Sequence, residues 1–94
     1  MISRSVLFYW SKGADTRRRI LSVTRELNIS NEPCFINILS EKLKLSHVAI
    51  KKHVELLVDE NYMKQMNPNG KPIYLEVTDQ GCEVLNDIAE PGPR

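Results

Sequence analysis

The chain is poor in cysteine and has no long apolar run. Its two cysteines, Cys34 and Cys82, do not make a disulfide framework or a metal-binding motif of recognisable spacing, so we expect two small, semi-buried thiols. The longest apolar run, VLFYW at 6–10, is far below the ~18 residues that a membrane span needs. It also lacks the small-residue cleavage site of a signal peptide. These absences predict a cytoplasmic protein with no membrane partner.

Sequence features of catalysis are also scarce. No glycine-rich phosphate-binding loop occurs among the four glycines, and no pairing of a nucleophile with a general base is visible. Only two histidines are present. The chain is therefore predicted not to be an enzyme and to need no cofactor.

Net charge is small overall but unevenly distributed. The full chain carries +1, which argues against a strongly basic nucleic-acid binder. Residues 1–58 hold ten Lys and Arg against five Asp and Glu, a net charge of +5, whereas residues 59–94 hold three against seven, a net charge of −4. One half of the protein can therefore face phosphates while the other half faces away.

Length and hydrophobic periodicity predict one mostly α-helical domain spanning residues 1–94. With 41% apolar and 27% charged residues, the composition is that of an ordinary globular protein. A short apolar segment near 4–11 is expected to be helical. Asp15 or Thr16 then caps a helix that runs to about Asn28.

Two further helices follow, separated by a tight turn. Apolar residues three and four apart predict a short helix over 36–43. Ser46 is a good N-cap for a longer helix over about 46–60, and Asn61 is suited to the left-handed conformation that ends it. A short helix joined tightly to a longer one is the geometry of a helix-turn-helix, whose second helix enters the DNA major groove.

The periodicity then changes to that of β-strands. Strand-like runs at 62–66 and 73–77 flank a segment that contains Asn69-Gly70, a strong turn signal, and together they predict a β-hairpin. A hairpin after the second helix supplies a wing, here over about 62–77. The predicted fold is therefore a winged helix-turn-helix, mostly α with a β-hairpin wing.

A last helix closes the predicted domain. Thr78 or Asp79 caps it, and it ends near Ala89. The terminal residues 90–94 cannot continue a helix and are expected to fray.

Four fragments in this order resemble the winged helix-turn-helix transcriptional regulators of the ArsR and MarR type, a prokaryotic and archaeal group. Residues 16–21 are similar to the T-R-x-x-I-L signature of ArsR-like proteins, and residues 39–46 to their L-A-x-x-L-x-L-S run. Residues 48–57 follow the register of their recognition helix, and residues 77–85 resemble the L-T-x-x-G-x-x-x-L after the MarR-like wing. The resemblance implies a sequence-specific, DNA-binding transcriptional regulator.

Metal sensing is not implied by the resemblance. ArsR metal sensors commonly carry a Cys-x-Cys pair before the recognition helix, and those places hold Phe35 and Asn37 here, with Cys34 one residue out of register. A soft-metal site needs convergent thiolates. We therefore expect no metal ligands.

The solvent face of the recognition helix holds the predicted DNA-reading residues. His47 and Lys51 can donate to guanine O6 and N7, and Val48 can contact a thymine methyl group. Lys52 is as well suited to a phosphate, and Ser46 can offer its hydroxyl and the first backbone N–H groups. Without the flanking motifs, the two lysines would be interpreted as the solvated side of a surface helix.

The wing is predicted to lie along the DNA backbone or in the minor groove. Lys64 on its first strand and Lys71 in its loop are the candidate phosphate contacts. Because only one of them lies in the loop, we expect the wing to contribute modest affinity.

Four other basic side chains have different expected roles. His53 falls toward the inner face, where a hydrogen-bonded, partly buried histidine is expected rather than a ligand or pH switch. Arg17 is expected to anchor structure. Arg18 and Arg19 are either solvated or in contact with the DNA backbone, because successive helical side chains fan apart by ~100°.

The apolar N-terminal segment, residues 1–13, is larger than so small a core needs. We expect a homodimer interface there, shared with Val84, Leu85 and Ile88 of the last helix. Packing over the chain's own core is the alternative. A dimer would place two recognition helices ~34 Å apart, one DNA turn, and would imply a pseudo-palindromic site.

Two functions remain open from the sequence. The first is a DNA-binding regulator whose partners are duplex DNA and a second copy of the chain, with an effector that the sequence does not identify. The second is a winged-helix module for protein–protein contact in a larger assembly, because a fold does not determine a function. Salt-dependent binding to duplex DNA would separate the two.

Overall fold

Four α-helices, one β-hairpin and an N-terminal π-helical turn make up the fold. The structure is a computed structural model that describes the backbone of residues 3–89 and the side chains of residues 3–87, so the expected fray at 90–94 lies outside the described residues. In chain order the elements are the π-helical turn Val6–Trp10, α1 (Ala14–Ile29), α2 (Ile36–Leu43), α3 (His47–Asp59), β1 (Met63–Gln65), β2 (Leu75–Val77) and α4 (Asp79–Ala89).

Helix α1 begins earlier than predicted, because glycine opens it. Gly13 has φ 89°, a left-handed conformation that side chains other than glycine rarely adopt. The prediction of Asp15 or Thr16 as the cap was therefore wrong. Asp15 lies inside the first turn, where its carboxylate accepts from Arg18 at 3.2 Å.

The tight turn between α2 and α3 confirms the helix-turn-helix. Lys44 takes a left-handed conformation with φ 57° and ends α2. The side chain of Ser46 then accepts a hydrogen bond from the Ala49 backbone N–H at 3.1 Å, which confirms the predicted N-cap. Asn61, with φ 67°, follows the end of α3 as expected.

The hairpin is confirmed, with shorter strands than expected. β1 and β2 pair antiparallel, with Lys64 opposite Glu76, and each strand has three residues. The loop turns where the Gly70 N–H donates to the Asn67 carbonyl at 2.8 Å. Asn69 and Gly70 are thus the third and fourth residues of this turn.

Side chains and loops of the helical layer hold β2. The amide of Asn28 donates to the Leu75 carbonyl at 3.1 Å and accepts from the Val77 N–H at 2.9 Å. The Leu75 N–H donates to the Cys34 carbonyl at 2.9 Å. Next along the chain, the Thr78 hydroxyl accepts from the Gly81 N–H at 3.1 Å, which confirms Thr78 as the cap of α4.

One hydrophobic core joins all three helices of the first half to the hairpin and α4. Its fully buried side chains include Ile20, Leu21, Leu39, Ile50 and Leu57. Phe8 from the π-helical turn packs edge-on against Tyr62, with ring centroids 5.0 Å apart.

Val84 and Leu85 also belong to this core. Their exposed fractions are 1% and 4%, so they are not available to a second copy. The expectation that they form part of a dimer interface was wrong, because α4 packs against α1 and β2 and buries both side chains. The side chain of Ile88 lies outside the described residues.

Of the two cysteines, Cys82 is the semi-buried thiol that was expected, whereas Cys34 is more deeply buried than expected. Cys34 is buried, and its thiol donates to the Thr24 hydroxyl at 3.6 Å. Burial raises the pKa of the Cys34 thiol. Between residues 3 and 89, no helix has the length and apolarity needed to cross a membrane.

Candidate nucleic-acid interface

The solvent face of α3 brings together the residues predicted to read DNA. Ile50, Val54 and Leu57 are buried in the core. The opposite face presents the exposed side chain of Glu55 and those of the four predicted residues His47, Val48, Lys51 and Lys52. We call these four predicted residues the reading face.

The reading face combines an exposed apolar side chain with positive charge. Val48 is 66% exposed, which leaves an apolar side chain in water between cationic neighbours. Within the described part of the chain, neither Lys51 nor Lys52 forms an ion pair. The face therefore combines unneutralised positive charge with a methyl-bearing side chain.

The hydroxyl of Ser46 is already engaged by the helix. It accepts from the Ala49 N–H, so Ser46 can offer a ligand its O–H but one fewer acceptor site. Ser46 is exposed and stands at the start of α3, beside His47.

A groove separates the reading face from the wing loop. It has a volume of about 390 Å³ and is bordered by three elements. They are the start of α2, the start of α3 and the loop. Its lining residues are Phe35, Ile36, Asn37, His47, Val48, Lys51, Pro72 and Ile73.

The two predicted wing lysines lie in different electrostatic environments. Lys64 forms an ion pair with its cross-strand neighbour Glu76, with 3.1 Å between Nζ and Oε1. A phosphate would have to compete with that carboxylate. Lys71 is exposed in the loop and has no ion pair among the described residues. Lys71 is thus the better placed of the two.

The other flank of α3 packs against the start of α1. His53 lies ~60° to one side of the buried Ile50 around the helix axis, whereas Lys51 lies ~100° to the other side. A Cβ on Gly13 would stand 2.7 Å from His53 Cε1. One flank of α3 is therefore held by α1, and the other borders the wing groove.

Arg17 ties this flank to the N-terminal segment, which confirms its expected structural role. Its side chain is 5% exposed. Nε donates to the Leu7 carbonyl at 2.7 Å, and Nη2 donates to the Ser11 hydroxyl and to the Lys12 carbonyl. Nη1 lies 3.3 Å from Nδ1 of His53.

The Arg17–His53 contact defines the protonation state of the imidazole. A guanidinium can only donate, so His53 Nδ1 must accept and the ring must be neutral. Burial is the main cause that lowers the pKa of His53, and the charge of Arg17 lowers it further. Burial also lowers the pKa of Arg17. The expected hydrogen-bonded, partly buried histidine is confirmed.

Arg18 and Arg19 behave differently from each other. Arg18 donates to the Phe8 carbonyl, pairs with Asp15, and lies over the Tyr9 ring with its guanidinium carbon 5.5 Å from the centroid. Arg19 is exposed. Arg18 therefore makes its contacts within its own chain. Neither of the two expected alternatives, solvation or DNA contact, describes this role.

The N-terminal segment divides into a buried and an exposed half. Leu7 and Phe8 are buried in the chain's own core, as the alternative interpretation expected. Val6, Tyr9 and Trp10 are 44%, 51% and 81% exposed. We call these three residues the N-terminal patch.

Sequence reasoning missed Lys12 and Asn67. Lys12 is exposed and directly precedes Gly13, at the flank of α3 that lies away from the wing. Asn67 organises the wing loop through its side chain. The available signals were the glycine that follows Lys12 and the position of Asn67 at the start of a turn. Neither signal identifies a contact with a residue distant in sequence.

No group of three or more His, Cys, Asp or Glu side chains in the described part of the chain could hold a metal ion.

Comparisons with known proteins show the fold. No protein-family model and no curated protein matches the chain. Among solved structures, a mutant of Lactococcus lactis ZitR is similar to it, with TM-score 0.63, 19% identity, and coverage of 80% of this chain and 49% of ZitR. The adhesin competence repressor AdcR from Streptococcus pyogenes is also similar, with TM-score 0.62, 19% identity, and coverage of 78% and 52%. The chain spans about half the length of these proteins and has their winged-helix fold.

Proposed function

We propose that this protein is a transcriptional regulator that binds duplex DNA in a sequence-specific manner. Helix α3 would enter the major groove, and the wing loop would lie on the adjacent backbone or in the minor groove. The observation that carries the proposal is the reading face, with two unpaired lysines among the described residues and an exposed valine. The similarity to AdcR, a repressor by its name, supports the same class.

The dimensions and chemistry of α3 fit the major groove. The groove is ~12 Å wide and admits one α-helix. Residues at the N-terminal end of a recognition helix reach base edges, and here these are His47, Val48 and Lys51. Lys51 and His47 would donate to guanine, and Val48 would contact a thymine methyl group. Lys52, Ser46 and Lys71 would meet phosphates.

The first experiment is selection of bound duplexes from a random pool, followed by fluorescence anisotropy titrations with the selected sequence. We expect a defined consensus and strong salt dependence, because each phosphate contact contributes about −0.9 to the log–log slope. A dimer with about 6–8 such contacts would give a slope of about −5 to −7.

Lys51→Ala tests the reading face. It should weaken binding by about 5- to 100-fold and relax preference at one base position, as expected for loss of a contact to guanine. Lys42→Ala is the matched control, because Lys42 is also exposed but lies on α2, where it lines a cavity together with Glu26 and Glu32. Equal effects of the two substitutions on affinity and preference would contradict a base-reading role for α3.

A second candidate function is a protein–protein interaction module. The N-terminal patch favours it, because exposed aromatic side chains are enriched at protein interfaces. This alternative predicts no sequence preference and weak duplex binding that Lys51→Ala does not change.

A further inference from the structure

We propose that Asn67 is a positioning residue that holds Lys71 of the wing loop in place for contact with a DNA phosphate. The inference deepens the proposed function and rests on it. The wing lysine itself offers only one point charge. This loop adds a hydrogen bond on each side of that charge, one made by the backbone carbonyl of Asn67 and one by its side-chain amide.

Asn67 bonds to the residue on each side of Lys71. The Asn67 carbonyl accepts from the Gly70 N–H at 2.8 Å. The Asn67 side-chain amide donates to the Pro72 carbonyl at 3.1 Å. Gly70 and Pro72, the two neighbours of Lys71, are therefore both hydrogen-bonded to Asn67. The backbone of Lys71 lies between these two residues.

The same side chain anchors the loop to the hairpin. Its Oδ1 accepts from the Tyr74 N–H at 2.7 Å, and the Met66 N–H donates to the Tyr74 carbonyl at 2.9 Å. The Tyr74 ring packs edge-on against Phe35 with 5.8 Å between centroids. Asn67 thus links the loop backbone to a residue that rests on the start of α2.

The space around Gly70 shows how closely the loop packs against Asn67. A Cβ on Gly70 would come within 1.9 Å of Asn67 Nδ2. No side chain fits there while the Asn67 amide keeps its position. Glycine is therefore required at position 70 because there is no space for a side chain.

An anchored loop lowers the cost of binding. A free loop must lose backbone entropy when its lysine settles on a phosphate, and a pre-ordered loop has already lost it. Without the Asn67 amide, Lys71 would retain its charge but lose most of its contribution to affinity.

The test is a double-mutant cycle on DNA affinity with Asn67→Ala, Lys71→Ala and both together, titrated against the selected duplex at several salt concentrations. In the wild-type background, Lys71→Ala should weaken binding several-fold and reduce the magnitude of the salt slope by about one per site. In the Asn67→Ala background, Lys71→Ala should have little further effect. Lys51→Ala is the control and should cost the same factor in both backgrounds.

A second cycle tests the packing without DNA. Gly70→Ala should lower the urea midpoint in the wild type and much less in the Asn67→Ala variant, because the clashing amide is then absent. This measurement also shows that the variants are folded.

The outcomes separate the two claims. A wild-type protein that binds no duplex with sequence preference overturns the proposed function and this inference with it. A wild-type protein that binds, with additive losses from Asn67→Ala and Lys71→Ala, overturns the positioning role alone. Additive midpoint shifts in the second cycle would also overturn it.

Discussion

At the residue scale, Arg17 is where three parts of the fold meet. Its side chain, 5% exposed, extends from α1 to the N-terminal segment at Leu7 and Lys12 and to α3 at His53. Burying a charge is costly unless it is hydrogen-bonded. Arg17 donates to carbonyl, hydroxyl and imidazole acceptors. These hydrogen bonds form only while the imidazole and the backbone keep their positions.

The Arg17–His53 contact predicts a pH dependence of stability. The pKa of His53 is lowered in the folded state, by burial first and by Arg17 second, whereas its unfolded value is about 6.5. The unfolded chain therefore binds more protons in acid, and this contribution to stability is complete above pH ~6.5 and is lost as pH falls toward the lowered pKa. Urea unfolding at several pH values should show the decrease in the wild type.

His53→Gln is the control for this prediction. Carboxylates also titrate in acid, so the informative quantity is the difference between wild type and His53→Gln. That difference should shrink as pH falls below ~6.5. A difference independent of pH would contradict the neutral, accepting imidazole.

Gly13→Ala should be destabilising for two separable reasons. Alanine at φ 89° is strained, and its Cβ would meet His53 Cε1 at 2.7 Å, so we expect a loss of about 1–3 kcal/mol. In a His53→Ala background the steric part should disappear and the conformational part should remain. Urea unfolding of the four proteins measures both parts.

At the element scale, α3 depends on its cap. Ser46→Ala removes the acceptor for the Ala49 N–H and should cost about 0.5–2 kcal/mol in urea unfolding. Ser46→Asn retains a capping side chain and should restore most of the stability. Equal losses from alanine and asparagine would show that the hydroxyl does something other than cap the helix.

The elements also show what the sequence could predict. Ser46, Asn61 and Thr78 act on backbone within a few residues, so capping rules identified the ends of their helices. The start of α1 depends on the left-handed conformation of Gly13, and His53, 40 positions further along the chain, leaves little room there for a Cβ. The Asn28 side chain and the Cys34 backbone bind β2, and no local pattern contains that information.

The same contrast between local patterns and contacts distant in sequence applies to the candidate site. Periodicity placed His47, Val48, Lys51 and Lys52 together because one helix carries them all. It could not pair Lys64 with Glu76, since that pair depends on the hairpin register. Nor could it indicate that Asn67 brackets Lys71, which depends on the path of the loop.

At the scale of the whole molecule, we propose that the exposed N-terminal patch is the dimer contact that the sequence predicts within residues 1–13. Trp10→Ser should raise the dimer dissociation constant by about 30-fold, because loss of a central interface tryptophan costs about 2 kcal/mol. Sedimentation equilibrium measures it. Ile29→Ser is the matched control, because Ile29 is 77% exposed at the other end of α1.

The dimer prediction has a consequence for DNA binding. Duplex affinity should fall together with dimerisation in Trp10→Ser, since a monomer contacts only one half-site. A wild-type protein that sediments as a monomer at all concentrations while binding a single half-site would contradict the prediction.

The bonds that Asn28 and Cys34 make to β2 have a further consequence for assembly. A strand whose outer N–H and C=O groups are free can recruit a strand from another chain. Here the outer groups of Leu75 and the outer N–H of Val77 are already occupied by a side-chain amide and a loop carbonyl. The hairpin therefore cannot be extended on this side by a strand from another copy of the protein.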